Sequence, residues 1–161
     1  MKNKNLSFMT QAAMIAAIYV VLTYIFAPFS FGEVQVRISE ALTILPIFTP
    51  AAIPGLFVGC LIGNILGGAI LPDIVFGSIA TLIGAFFTWK LREQKPVVAT
   101  FPPIISNIII VPFVLRYGYG VTLPIPFMML TVGIGEVISC TILGLIVYGA
   151  LKKYKSTLFR T

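Results

Sequence analysis

The chain has 161 residues, of which 58% are hydrophobic and only 10% are charged, and its mean hydropathy is +1.04. Soluble chains carry about 25% charged residues, so this composition leaves too little polar material for a water-exposed shell and excludes a soluble domain. The net charge of +6 needs no nucleic-acid partner, because basic residues beside membrane helices face anionic lipid head groups.

The apolar runs are continuous and do not alternate with polar residues, which favours helices over a closed β-barrel. A helix needs about 17–25 apolar residues to cross a bilayer. We predict an all-α membrane protein with one transmembrane domain over 1–161, a bundle of six helices in which the second is short or broken. The first run lacks a small-x-small cleavage site, so we expect a retained helix and no cleaved signal peptide. The predicted spans lie at approximately 8–27, 40–53, 55–71, 74–90, 97–115 and 127–150.

The second of these segments is crowded by Pro46, Pro50 and Pro54. Proline removes a backbone donor and clashes with the preceding turn, so this helix should be short or interrupted. Broken backbone is tolerated at membrane depth only where it is buried or lines a cavity. The prolines therefore indicate that this segment lies beside a pocket.

Lysine and arginine are distributed unevenly between the two ends of the six segments. One end takes most of them, and the opposite end takes only Arg37 and Arg116. Because the basic side of a membrane protein is normally cytoplasmic, both termini are predicted to be cytoplasmic. The residues on that side are Lys2, Lys4, Lys90, Arg92, Lys95, Lys152, Lys153, Lys155 and Arg160.

Glu136, Asn64 and Asn107 fall near the middle of three different predicted spans. At a rise of 1.5 Å per residue they lie roughly 14 Å deep. A carboxylate at that depth costs several kcal/mol unless it is paired or solvated, so Glu136 is either a site residue or a structural group bonded to Arg37 or a neighbouring helix. Each asparagine could simply join two helices. One shared ligand site would satisfy all three groups most simply.

The segment "FGEVQVRISEALTILP" brings Glu33, Arg37 and Glu40 together between apolar runs. Arg37 and Glu40 could pair on one helix face. We predict instead that this segment forms a loop and the start of a helix, and that both lie above an outward-facing pocket. There Arg37 would supply forked donors and Glu40 an acceptor. Asp73 directly precedes a span, where it could cap the helix or lie at the mouth of the pocket.

Signatures of enzymes and pumps are missing from the sequence. There is no G-x-x-x-x-G-K-[ST] nucleotide loop, no histidine for a proton relay, and no H-E-x-x-H or G-x-S-x-G motif. Cys60 and Cys140 are single residues inside spans and are expected to be small hydrophobes, so neither a disulfide, a metal nor another cofactor is expected. We predict that the protein is not an enzyme. Because the chain has no nucleotide-binding loop to drive transport, it should need a partner protein.

The first predicted helix contains "TQAAMIAAIYVV". Ala12 with Ala16, and Ala13 with Ala17, have the four-residue spacing of small residues that lets two helix backbones approach closely. The contact could be made inside the chain or with a partner protein.

Four stretches together resemble the QueT family of queuosine-precursor transporters: "VQVRISEALTILP", "AAIPGLFVGCLIGNILGG", "LPDIVFGSIATLIGA" and "VGIGEVISC". The R-I-S-E-A-L and D-I-V-F-G-S blocks are fairly specific to that family. Its members are substrate-binding S components of energy-coupling factor (ECF) importers. The resemblance implies a protein of the bacterial plasma membrane that captures a 7-deazaguanine, such as queuine or its cyano or aminomethyl precursor, from outside.

The resemblance also implies partners. An S component docks on a membrane T subunit that carries two cytoplasmic ATPase subunits, and it tips over to release its cargo inward. In S components the alanine pattern of the first helix faces the T subunit, which implies an interface at Ala12, Ala13, Ala16 and Ala17.

A deazaguanine would suit the polar residues named above. Its N1–H and 2-amino donors can be accepted by one carboxylate, for which Glu136 is the first candidate and Glu40 the second. Its O6 acceptor needs a donor from Asn107, Asn64 or Arg37. Aromatic residues that could stack on the base are Phe31, Phe76 and Tyr117.

Two other classes of function stay open. A self-sufficient secondary carrier or channel for another small metabolite would support ion-coupled uptake by the chain alone. A membrane enzyme using Glu136 as a general acid or base would show turnover without partners. Copurification with a T subunit and ATPases would favour the importer.

Overall fold

The computed structural model describes residues 4–30 and 36–159, and every regular element in those two ranges is helical. The predicted all-helical class is confirmed. Four helices of the described chain are long and apolar enough to cross a membrane, and two apolar helices are shorter. In chain order these are α1 (Lys4–Ile25), a 3-10 helix (Ile38–Ile47), α2 (Ala52–Leu66), α3 (Leu71–Lys90), α4 (Pro96–Gly118) and α5 (Ile125–Lys152).

The proline-rich second segment forms the ten-residue 3-10 helix, with Pro46 inside it. A 3-10 helix rises about 2.0 Å per residue, so this element is about 20 Å long. Its residues from Ser39 to Pro46 are buried among α1, α3 and α5. The short element therefore carries polar side chains into the centre of the bundle.

Helix α2 is shorter than the sequence indicated. The segment 55–71 was expected to span the membrane, but the helix has 15 residues, which is about 22 Å at 1.5 Å per residue. It ends before Gly67, and Gly68 has a φ of +77°, a left-handed conformation that glycine adopts without steric cost. The described chain thus has four helices of spanning length where five were expected.

Glycines at a four-residue spacing bring α1 and α2 into close contact. A Cβ added at Gly55 would lie 2.7 Å from the carbonyl oxygen of Ala12, and one added at Gly59 would lie 2.8 Å from the Cβ of Tyr19. At these two positions there is room only for the Cα hydrogen of glycine. The close approach holds Tyr19 against the interior, where it is fully buried.

Several basic residues gather at one end of the bundle. Arg92 and Lys155 line the same cavity as Phe48 and Thr49 at the end of the 3-10 helix, and the Thr49 hydroxyl donates to the Gln11 side chain of α1 at 2.8 Å. The α3–α4 connection, the C-terminal segment and the first half of α1 therefore meet at this end. The side of the membrane that it faces stays a prediction.

Candidate functional site

Glu40 lies at the centre of the bundle, on the 3-10 helix. Its side chain is 1% exposed. Oε1 accepts a hydrogen bond from the Tyr19 hydroxyl of α1, and it lies 3.3 Å from the Thr81 hydroxyl of α3. Three elements therefore hold one buried carboxylate.

Arg37 caps the same 3-10 helix and points into the bundle, where it is buried. Its Nη2 donates to Asn64 Oδ1 at 2.7 Å and lies 3.6 Å from Cys60 Sγ. The Asn64 amide nitrogen in turn donates to the backbone carbonyl of Asp73 at 3.2 Å. These bonds join the 3-10 helix to α2 and α3.

Asp73 lies in the first turn of α3 and is buried. Its Oδ2 accepts a hydrogen bond from the Tyr119 hydroxyl at 2.9 Å, so its carboxylate does not cap α3 at the N-cap position, which is Ile70. Burial, with the charge of Asp73, raises the pKa of Tyr119 to about 12. Tyr119 therefore stays a neutral donor. The Asp73–Tyr119 pair is the end of the hydrogen-bond network that lies away from Arg92 and Lys155.

Glu136 lies in α5 and is 1% exposed. Its Oε2 accepts from the Cys140 thiol at 3.2 Å, and the Asn107 amide of α4 is a second hydrogen-bonding neighbour. Directly after Glu136, the segment Val137–Leu143 widens into π-helical turns. Such turns are rare and often occur at functional sites. Here they place Cys140 on the same interior face as Glu136.

The two halves of this region form one continuous cluster. The Thr81 hydroxyl lies 3.4 Å from Cys60 Sγ, which connects the Glu40 carboxylate with Arg37. Ligand atoms of Glu40, Glu136 and Cys140 lie within 4.8 Å of one another. The cluster contains the six polar residues that were predicted as ligand-binding: Arg37, Glu40, Asn64, Asp73, Asn107 and Glu136.

Two buried side-chain oxygens in the region of the cluster could each accept a further hydrogen bond. Within the described ranges, Glu40 Oε2 and Ser139 Oγ have no hydrogen-bond partner. A buried polar atom without a partner costs about 1–3 kcal/mol. Oxygens of this kind can accept donors from a bound polar molecule or coordinate a cation.

Sequence reasoning missed four residues that complete the cluster: Tyr19, Cys60, Thr81 and Cys140. A signal existed for the cysteines, because Cys60 precedes Asn64 by four residues and Cys140 follows Glu136 by four, which puts each pair on one helix face. The hydrogen bonds of both thiols show that they are more than small hydrophobes. No comparable signal marked Tyr19 or Thr81.

The aromatic candidates for stacking lie away from the cluster. Phe76 and Tyr117 line an apolar groove of about 480 Å³ between α3 and α4, and both side chains are largely exposed on the outside of the bundle. Phe31, like Glu33, lies outside the residues that the structure describes. The structure therefore brings neither Phe76 nor Tyr117 to the buried carboxylates.

The four alanines of α1 lie on two different faces. Ala12 and Ala16 pack against Gly55 and Gly59 of α2, whereas Ala13 and Ala17 are exposed. One small-xxx-small pair thus makes a contact inside the chain. The other pair leaves a shallow surface on the outside of the bundle.

Comparison with known proteins links the chain to a transporter family. A family profile described as QueT transporter matches residues 9–153. The queuosine precursor transporter QueT of Lactococcus lactis subsp. cremoris (strain MG1363) is 33% identical over 84 residues, which are 51% of this chain and 48% of that protein. The match therefore covers about half the length of the relative. No solved structure matches the chain.

Proposed function

The chain belongs to the QueT transporter family, and from that premise we propose that it is the substrate-binding S component of an ATP-driven ECF importer. Its cargo is a queuosine precursor, a 7-deazaguanine such as queuine or its cyano or aminomethyl precursor, taken up from outside. The resemblance in the R-I-S-E-A-L and D-I-V-F-G-S blocks and the name of the Lactococcus relative both support this cargo.

The observation that carries the proposal is the cluster around Glu40 and Glu136. Buried carboxylates are costly in a membrane protein, and apolar residues of similar volume are often at least as stabilising. Their presence at the centre of the bundle, with one carboxylate oxygen left open, supports a role in binding a polar molecule. Intramembrane acids in transporters commonly mark the substrate path.

The functional groups match the edge of a deazaguanine. Glu136 accepts from the N1–H and 2-amino donors, which a single carboxylate can bind in a bidentate way. In this proposal Asn107, the hydrogen-bonding neighbour of Glu136, donates to O6. Glu40 offers its open oxygen to a further donor, while Arg37, Asn64 and Asp73 extend the polar cluster toward α2 and α3.

The importer needs a defined position in the membrane. We place both termini in the cytoplasm of a bacterial cell, because the basic end of the bundle carries Arg92 and Lys155 and basic ends normally face inward. In this arrangement α2 and the 3-10 helix complete a six-segment bundle with the four longer helices. The polar cluster then opens toward the non-basic end, where Asp73 bonds to Tyr119.

The partners follow from the family type. A T subunit would dock on the exposed face of α1 at Ala13 and Ala17, where small side chains permit close approach of a second helix. Two ATPase subunits would supply the energy for release. Ala12 and Ala16 would support this surface from inside, by holding α1 against the glycines of α2.

Direct binding tests the cargo. We would titrate the purified chain in detergent with queuine and the two precursor bases by calorimetry, with guanine and riboflavin as controls. Submicromolar binding of at least one deazaguanine is the expected result. Absence of binding by all three would refute the cargo, and copurification with a T subunit and ATPases would then decide whether the S-component role survives. Ion-coupled uptake by the chain alone would favour the secondary carrier.

A further inference from the structure

Three side chains from two elements converge at one point of the bundle interior. Ligand atoms of Glu40, Glu136 and Cys140 lie within 4.8 Å of one another, and all three residues are buried. Two carboxylates and a thiol at this distance form a set of donors that a metal ion can accept, since Zn²⁺ binds both sulfur and oxygen.

An independent observation points to a ligand at this place. Glu40 is 1% exposed, yet its Oε2 has no hydrogen-bond donor in the part of the chain that the structure describes. Oε1 of the same carboxylate accepts a hydrogen bond from Tyr19 and lies 3.3 Å from the Thr81 hydroxyl. A buried carboxylate oxygen without a donor is costly, and a coordinated cation removes that cost.

The charge of the cluster also favours a divalent cation. Arg37 acts electrostatically on Glu40, Glu136 and Asp73, but one guanidinium can balance only one of these three carboxyl groups. When Cys140 binds a metal as thiolate, its proton leaves to water and the site gains a third negative charge. A divalent ion then offsets two of the negative charges, which lowers the cost of holding them in a low-dielectric interior.

We propose that Glu40, Glu136 and Cys140 form a binding site for a divalent transition-metal ion of the Zn²⁺ type. Ligand bonds of about 2.0–2.3 Å in tetrahedral geometry place neighbouring donors about 3.3–3.6 Å apart, so the ion draws the widest pair, which lies within 4.8 Å, inward by up to about 1.5 Å. The π-helical turns at Val137–Leu143 make this adjustment local to α5. The Thr43 hydroxyl, 3.5 Å from Cys140 Sγ, lies beside the metal-binding thiol.

The metal site goes beyond the proposed function, because the ion binds to the chain without a deazaguanine, whose donors would otherwise occupy the same oxygens of Glu40 and Glu136. The test uses Co²⁺ as a probe, since a bond between Co²⁺ and a thiolate absorbs in the near ultraviolet. Chelator-treated wild-type chain in detergent should take up one equivalent of Co²⁺ with this band, and Zn²⁺ should abolish it. Cys140→Ser should lose the band, whereas the matched variant Cys60→Ser should keep it.

A second measurement needs no variant. Zn²⁺ should slow alkylation of Cys140 at least tenfold and leave Cys60 unchanged, as read from the mass of the two peptides. No Co²⁺ band in the wild type, or equal protection of both cysteines, would overturn the metal site. Because neither measurement contains a deazaguanine, failure here is distinct from failure of the calorimetry that tests the cargo.

Discussion

The tight contact between α1 and α2 makes a quantitative prediction for Gly55→Ala. The new Cβ would lie 2.7 Å from the Ala12 carbonyl oxygen and 3.1 Å from the Ile15 Cβ, while ordinary Cβ contacts begin at 3.4 Å. The oxygen belongs to the backbone and cannot rotate away, so the two helices must separate by about 0.7 Å. Overpacking of this kind costs about 1–3 kcal/mol.

The matched control is Gly149→Ala in α5, where an added Cβ meets no atom within 4 Å. Both variants gain the same helix propensity, about 1 kcal/mol, so their difference isolates the steric cost. At about 2–4 °C per kcal/mol for a chain of this size, a cost of about 2 kcal/mol puts the thermal midpoint of Gly55→Ala about 4–8 °C below that of Gly149→Ala. Thermal unfolding in detergent measures the difference. Equal midpoints would refute the close contact of α1 and α2.

Four further predictions concern the site, the partner surface and the orientation. Glu136→Gln should weaken deazaguanine binding at least tenfold, about 1.4 kcal/mol, in calorimetry with the midpoint preserved; normal affinity would remove Glu136 from the ligand site. Tyr19→Phe leaves Glu40 short of a donor and should cost about 1–3 kcal/mol in thermal unfolding, while Tyr24→Phe, on the exposed side of α1, should be neutral; equal effects would argue against the bond. Ala13→Leu should keep ligand affinity and abolish uptake by cells with the partner subunits, unlike the exposed control Ala150→Leu; normal uptake would exclude this docking surface. In intact cells, an impermeant maleimide should label Arg116→Cys but not Lys153→Cys, and the reverse pattern would invert the topology.

The sequence was most informative about polar residues. Arg37, Glu40, Asn64, Asn107 and Glu136 stand out because their neighbours are apolar, and a fixed rise of 1.5 Å per residue gives the depth of each group in a helix. Depth suggested that Asn64, Asn107 and Glu136 meet, whereas Arg37 and Glu40 were expected in a loop and helix start above the pocket. The structure places all five in one cluster.

It was much harder to predict how each helix is rotated about its axis, and therefore which of its residues face the interior of the bundle. In a membrane both lipid-facing and buried surfaces are apolar, so hydrophobic periodicity cannot show which face points inward. The spacing rule for alanines therefore could not separate Ala16, which packs on Gly59, from Ala17, which is exposed. For the same reason Phe76 and Tyr117 were considered for the site, although they line an outer groove.

Helix α1 has two faces with different tasks in the proposed importer. Its inner face supplies the Tyr19 hydroxyl to Glu40, and its outer face presents Ala13 and Ala17. If the proposed T subunit moves α1 on docking, it would act directly on a hydrogen bond of the proposed ligand site, without a relay through other helices. The Ala13 and Tyr19 variants test the two faces separately. Lost uptake with intact affinity at Ala13, together with weakened affinity at Tyr19, would establish that one helix joins cargo binding to the external source of energy.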